Sequence, residues 1–330
     1  MSKKVIRVHF VDKSCKAFGV DGNTTTIELR QMVIDKLGLR EDACFALFEK
    51  KDEWERCLEP DEKPTELLLQ WEKEKNEKRK SDQEPVLLFK KKIFLKDDDR
   101  EMQDPVAKDL IYLQALASIV TSEYPCGAED AVKLAGLQFQ ILHQDHNPAF
   151  HVPGYLLPTI ENFVPRTLFP SKRPQDWEAL ILREHESLVG RNPEDAKSEY
   201  LSIVKEWGYY GTTFFPPCRS AGNRNLPNKV IIGVNYEGIQ LLKPKNKQRI
   251  SEHLFTEICS WASSSGTFAF EFGNQNESQK YTFETRMGPI IASTIQTYID
   301  ILVQILKNGD DDDDDDDESE TGTTISQCSE

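Results

Sequence analysis

Between positions 230 and 306 the hydrophobic period of this chain changes from two to nearly four, which restricts the segment to a small sheet closed by one helix. Residues 230–234 and 238–242 read as strands, separated by turn chemistry at Asn235 to Gly238. Phe268, Phe270 and Phe272 then alternate at period two, and across a polar turn at 273–279 the strand pattern resumes at Tyr281, Thr282 and Phe283. These runs form an antiparallel meander. Ile291, Ile295, Tyr298, Leu302 and Leu306 follow at helical spacing, so one stripe of a long helix is apolar and can close over the sheet.

A sheet sealed by a C-terminal helix resembles the pleckstrin-homology and phosphotyrosine-binding (PH/PTB) plan, in which extended peptides add a strand beside the helix. The likeness becomes more specific in the runs 233–238, 257–263, 267–273, 281–285 and 298–302, which look like the third lobe of a FERM domain. Asp104-Pro105, the segment ending Ser122-Glu123-Tyr124-Pro125, the run 135–140 and Tyr209-Tyr210-Gly211-Thr212-Thr213-Phe214-Phe215 resemble the second lobe. Residues 5–95 resemble the ubiquitin-like first lobe. The resemblance is nearest to talin heads, with myosin-tail FERM domains next. It implies an α+β, three-lobed FERM fold. Residues 1–95 are expected as a ubiquitin-like β-grasp and 96–216 as an acyl-CoA-binding-protein-like helical bundle. Residues 217–307 are expected as a PH/PTB-like β-sandwich with its C-terminal helix, and 308–330 as a disordered acidic tail.

The formal charge of −15 needs dividing before it says anything about partners. Eleven acids and no Lys or Arg lie in 308–330, which leaves −4 for the remainder. The first lobe is nearly balanced, the second is acidic, and the third carries +3. So weak an excess argues against nucleic acid, whose binders show a strong basic face, and suits an anionic membrane or a peptide. Seven scattered cysteines, without paired spacing, disfavour a disulfide framework and favour a reducing cytosol. The start Met1-Ser2-Lys3-Lys4 lacks the apolar core of a signal peptide and the glycine of a myristoylation site. No run is expected to approach the roughly 20 apolar residues of a membrane helix, so membrane contact is expected to be peripheral.

Ile6 to Phe10 and Lys16 to Val20 predict a hairpin, and Thr24 to Thr26 a cap for a helix that ends at Gly38. Residues 71–84 are almost wholly charged or polar, and Lys73, Lys75, Lys78, Arg79 and Lys80 alternate with glutamates, so a mobile solvated loop is expected. In the patch Lys90-Lys91-Lys92, strand geometry points Lys91 opposite to its neighbours. Asp104-Pro105 and Asn192-Pro193 each read as a helix cap followed by a first-turn proline. Val106, Leu110, Leu113, Ala117 and Val120 predict the buried stripe of the first of these helices. Further helices are expected at 128–143, 176–188 and 193–207.

No phosphate-cradling glycine loop, zinc-binding HExxH, CxxC pair or nucleophile elbow is present, and no catalytic residue or cofactor is expected. His143, Asp145, His146 and His151 fit no strong zinc spacing and read as surface residues of a helix-exit loop, so no metal site is expected. Cys218 and Cys259 have no recognisable base partner.

The candidate sites are therefore binding sites. In talin-like heads the stretch matching Ser260, Trp261, Ala262 and Ser263 borders the groove for an NPxY-type receptor tail, and Ile291, Ile295 and Tyr298 are expected as its opposite wall. Two departures weaken the match to integrin tails: Ser260 stands where talins carry Arg, and the loop at 235–238 holds Glu237 where Lys would help. Lys243, Lys245, Lys247 and Arg249 form a basic loop that could meet anionic phospholipid, phosphoinositides included, at about 1 kcal/mol per charge.

The expected function is a non-enzymatic, cytoplasmic adaptor, peripheral at the plasma membrane or cell cortex. It would join receptor tails and anionic phospholipid to cytoskeletal or signalling proteins. The alternative is a Ras-family small-GTPase effector using Lys3, Lys4, Arg7, Lys13 and Lys16 of the first lobe. With no motor or rod following, action as a recruiter or competitor of longer relatives is expected. The aspartate run 310–317 repels itself, and its default role is solubility. A sharper expectation is that it masks the basic third lobe at high effective concentration. Deleting 309–330 should then strengthen binding to anionic vesicles at low salt, and equal binding by both forms would dismiss the idea.

Overall fold

The structure, a computed structural model, describes residues 4–51, 54–77, 84–96, 98–223, 225–274 and 277–312. Lys3, the Lys78-Arg79-Lys80 part of the basic cluster and the acidic residues beyond 312 lie outside these.

The first lobe contains β1 (Lys4–His9), β2 (Cys15–Val20), α1 (Thr26–Leu37), β3 (Phe45–Lys51), β4 (Trp54–Cys57), α2 (Pro64–Glu77) and β5 (Val86–Lys91). Its sheet runs β2-β1-β5-β3-β4, with β1 and β5 parallel, which is the β-grasp order. Thr25 and Glu28 close a capping box on α1, and Gly38 ends it at φ +70°, where a Cβ would be strained. The loop expected at 71–84 is helix as far as Glu77. Polarity misled there because tertiary contacts hold the helix: the Trp71 indole N–H donates to Glu49 at 2.7 Å, and Lys51 pairs with Glu74.

The second lobe contains α3 (Asp99–Gln103), α4 (Pro105–Val120), α5 (Ala128–His143), α6 (Pro174–Glu186) and α7 (Pro193–Lys205). Asp104 and Asn192 accept the cap bonds the sequence assigned them. The buried face of α4 differs from the expected stripe: only Leu110 of that set is fully buried, and Ala107, Ile111, Tyr112, Ala115, Ser118 and Ile119 complete the face. Packing against both β5 and α7 covers two flanks, so Val106, Leu113, Ala117 and Val120 are half-buried rather than inside.

The third lobe contains β6 (Thr213–Phe214), β7 (Cys218–Ala221), β8 (Lys229–Val234), β9 (Gly238–Leu242), β10 (Arg249–Leu254), β11 (Ile258–Ser263), β12 (Thr267–Asn274), β13 (Glu277–Glu284) and α8 (Gly288–Asp312). The order is β10-β9-β8-β7-β13-β12-β11, with β6 beside β8. Because β6 pairs with β8, this sheet takes in residues ahead of the boundary expected at 217. The polar turn expected over 273–279 is mostly strand, since β12 runs to Asn274 and β13 starts at Glu277. Phe268, Phe270, Tyr281 and Phe283 face the core as the alternation requires. Ile291, Ile295 and Tyr298 of α8 are fully buried against them, and burial of each such side chain contributes about 1.5–3 kcal/mol. The stripe then runs out: Leu302 is half-buried and Leu306 is 69% exposed. The helix continues to Asp312, past the tail boundary expected at 308. Contrary to expectation, residues Gly288–Lys307 are long and apolar enough to cross a membrane, but their buried face closes the third lobe.

The lobes are bonded to one another. Asp104 Oδ2 accepts from the backbone N–H of Arg40 and Glu41 while Oδ1 caps α4 at Val106. Burial opposes ionisation of this carboxyl, yet the three N–H donors outweigh it and hold its pKa below the usual range. The Tyr298 hydroxyl accepts from Phe94 N–H and donates to the Gly211 carbonyl, each at 3.4 Å, so one side chain touches all three lobes. Gly211 sits at φ +70°, and a Cβ there would lie 2.4 Å from that of Phe94, so glycine is required on both counts. Lys91 points inward, as the alternation predicts, and pairs with Glu101 of α3.

Candidate functional site

The edge formed by β11 is where chemistry for binding collects. β11 pairs with β12 on one side and ends the sheet, so its other side presents backbone donors and acceptors. Which residues present them follows from register. Ser264 N–H donates to Thr267 O at 2.8 Å, and hydrogen-bonded pairs alternate along an antiparallel ladder. Ala262 opposite Ala269 is therefore a bonded pair, while Trp261 opposite Phe270 and Ser263 opposite Phe268 turn their N–H and C=O outward.

The side chains divide in the same way. Trp261 and Ser263 share a face with the buried Phe270 and Phe268, towards α8, whereas Ser260 and Ala262 lie on the opposite face. Trp261 is half-buried against the core, leaving part of its indole at the surface. The expected opposite wall needs correction. Ile291, Ile295 and Tyr298 are inaccessible because their rings and methyls fill the core. The flank of α8 carrying Ile290, Thr294, Thr297 and Ile301 lines a cleft of about 2050 Å³ between the lobes. At 100° per residue the other flank carries Ala292, Ile299 and Val303, with Val303 42% exposed. Sequence reading missed these because they are off the core stripe by about a quarter turn.

At the turn before β9, the Asn235 carboxamide accepts from the N–H of Glu237 and Gly238, and Glu237 accepts from the Tyr236 hydroxyl. An acid is thus built into this turn. The basic loop is partly spent on holding lobes together. Lys247 Nζ donates to the Glu123 carbonyl at 2.6 Å and lies 4.4 Å from the Phe214 ring centre, and burial pulls its pKa down. Arg249 pairs with Glu252 and reaches the Gly208 carbonyl. Lys243 and Lys245 remain exposed.

On the first lobe, Lys4, Arg7 and Lys13 are exposed and Lys16 is half-exposed. The pairing of Arg7 with Ala17 and of Val8 with Lys16 places Arg7 and Lys16 on opposite faces of the hairpin. β2 is itself an edge strand. Burial pushes the Cys218 thiol up to about 11, which disfavours the thiolate a nucleophile needs. Of the four residues weighed for metal, His143 ends α5 and is exposed, and Asp145 is engaged with Gln140 and Gly190; His151, expected at the surface, is 9% exposed and, like the half-exposed His146, meets His185 of α6.

Comparison with known proteins agrees with this architecture. Sequence profiles of an RA-like domain, the FERM central domain and a PTB domain of the IRS-1 type match residues 2–93, 97–215 and 214–303 in turn. Talin of Oscarella pearsei is 29% identical over 340 residues, covering 97% of this chain and 13% of that protein. Talin-1 of Gallus gallus is 26% identical over 330 residues, covering 93% and 13%. The chain thus spans about an eighth of the length of these relatives. The solved human myosin 7b C-terminal MyTH4-FERM domain, in complex with the harmonin-a PDZ3 domain, superposes with a TM-score of 0.72 at 21% identity, covering 92% of this chain and 61% of that one. Drosophila merlin, in a complex of its FERM and C-terminal domains, gives 0.73 at 18%, covering 92% and 98%. Three profiles in the order of the three lobes, talin relatives across nearly the whole chain, and this shared fold place the chain in the FERM-domain family, similar to talin heads.

Proposed function

We propose that this protein is a non-enzymatic FERM adaptor that takes an extended receptor-tail peptide, of the NPxY type, as an added strand along β11. The supporting observation is the free edge of β11, where the outward backbone groups of Trp261 and Ser263 stand beside a half-exposed indole. Main-chain bonds would supply affinity, and Trp261 with the Ile299–Val303 flank would read alternate side chains. Lys243 and Lys245 would face anionic phospholipid, and the protein would then sit at the cytoplasmic face of the membrane or the cortex, next to cytoskeletal partners. Ser260 and Glu237 favour a tail less acidic than those bound through Arg and Lys.

A second reading, a Ras-family GTPase effector, is favoured by the free β2 edge and the RA-like profile over residues 2–93. One titration separates the two. Labelled NPxY-type peptide should bind the full chain saturably and a scrambled peptide should not, while nucleotide-loaded GTPase should leave that isotherm unchanged. If neither peptide binds but GTP-loaded GTPase does, and charge reversal at Arg7 and Lys13 abolishes this, the second reading holds.

A further inference from the structure

We infer that the second lobe contains a zinc site built from His146, His151 and His185. It is independent of the peptide groove and does not appear in the local sequence pattern, because His185 comes from α6 while the other two come from the loop after α5. The ring centres are 5.5 Å apart for His146 and His151, 5.6 Å for His146 and His185, and 5.2 Å for His151 and His185. Three imidazoles at a tetrahedral zinc, with Zn–N bonds of about 2.0–2.1 Å, have ring centres about 5 Å apart. Their candidate ligand atoms already lie within 4.8 Å of one another, and small ring rotations would bring them to the spacing of about 3.3 Å that the same bond length sets.

The hydrogen bonding at His185 prepares that ring as a ligand. Its Nε2 lies 2.7 Å from the Gln144 carbonyl, which can only accept, so Nε2 carries the proton and Nδ1 offers a lone pair. That Nδ1 is buried and has no hydrogen-bond partner among the described residues; His146 Nδ1 is in the same condition. A ligand histidine whose second nitrogen donates to a backbone carbonyl is the usual outer arrangement of a metal site. Gln144 reaches this position at φ +61° and ψ −148°, a conformation that residues other than glycine rarely adopt. His151 Nδ1 accepts from Asn147 N–H at 3.1 Å, a bond that it would exchange for the metal, directly or by turning its ring over.

Aromatic filling is the competing account. His185 and His151 do pack on Phe139, with ring centres 4.4 and 5.0 Å away. Packing explains those contacts but leaves two buried nitrogens without partners on rings that converge, which costs stability in a purely structural cluster. Three neutral nitrogen ligands without thiolate or carboxylate select zinc over magnesium or calcium. His146 is half-exposed and gives the ion a way in, and a water would fill the fourth position. Bound there, zinc would fasten the long α5–α6 loop to α6, a job the buried Glu178 carboxylate shares by accepting from Gly154, Leu156 and Leu157 N–H.

The test is titration of the untagged, metal-free full chain with zinc chloride against a chelating dye, followed by X-ray absorption at the zinc edge. The expected result is one zinc per chain with three imidazole nitrogens and no sulfur. His146→Ala, at a half-exposed position, and His151→Gln should each bind on the order of a hundredfold more weakly, because losing a ligand is at least as severe as losing its outer-shell partner. Zinc should raise the melting temperature of wild type and not of His146→Ala. Equal affinity in wild type and both variants, sulfur in the absorption spectrum, or no stoichiometric binding would each overturn the proposal.

Discussion

Proline in place of Ser263 is expected to abolish capture of the receptor-tail peptide while leaving the unfolding curve nearly unchanged. The N–H of Ser263 belongs to a non-bonded pair with Phe268, so the substitution takes nothing from the β11–β12 ladder. It removes one of the donors an added strand would use and sets a ring in its path. A buried peptide carbonyl left unpaired costs about 1–3 kcal/mol, which is roughly a tenfold to hundredfold loss of affinity before the steric term. Proline at Ala262 is the contrasting variant: its N–H serves the ladder, so stability should fall together with binding. Calorimetric titration and thermal melting on both variants check this, and undiminished binding by Ser263→Pro would remove β11 from the account.

The other large effect lies at the joint between the first and second lobes. Lys91 is 1% exposed and its ammonium pairs with Glu101, over the Phe94 ring. The Gln114 carboxamide bonds both the N–H and the carbonyl of the same residue, at 3.0 and 3.1 Å. Truncation to Lys91→Ala leaves the Glu101 carboxylate, on a side chain 12% exposed, without its cation, a change that typically costs about 3–5 kcal/mol where a pair is fully buried. The double variant Lys91→Met with Glu101→Leu should recover most of that loss, because both desolvation costs are then removed together. Denaturant titration measures the difference. A loss under about 1 kcal/mol in the single variant would mean that Glu101 finds water or another partner there.

Residue patterning showed most of the fold because the strongest signals were local. Phe268, Phe270 and Phe272 set strand and face at once, and Thr25 with Glu28 and Gly38 marked both ends of α1. Where tertiary contacts decide, the same reasoning failed. Trp71 and Glu74 hold the end of α2 through Glu49 and Lys51, partners from β3 that no local window contains. The candidate groove was legible in its strand and not in its wall. Spacing at Ile291, Ile295 and Tyr298 reports burial, and complete burial is what disqualifies those residues as contacts. Likewise Lys247 and Arg249 look like surface cations in sequence but serve the contact with Glu123 and Gly208. His185 stayed unseen beside His146 and His151 because only the packing of α6 on α5 brings it there.

Strand addition at β11 would be visible in amide hydrogen exchange measured with and without saturating NPxY-type peptide. Exchange should slow at the Trp261 and Ser263 amides, with little change at Ala262, whose N–H is already held by β12. Protection confined to other edges, such as β2 or β10, with β11 exchanging at its free rate, would contradict it.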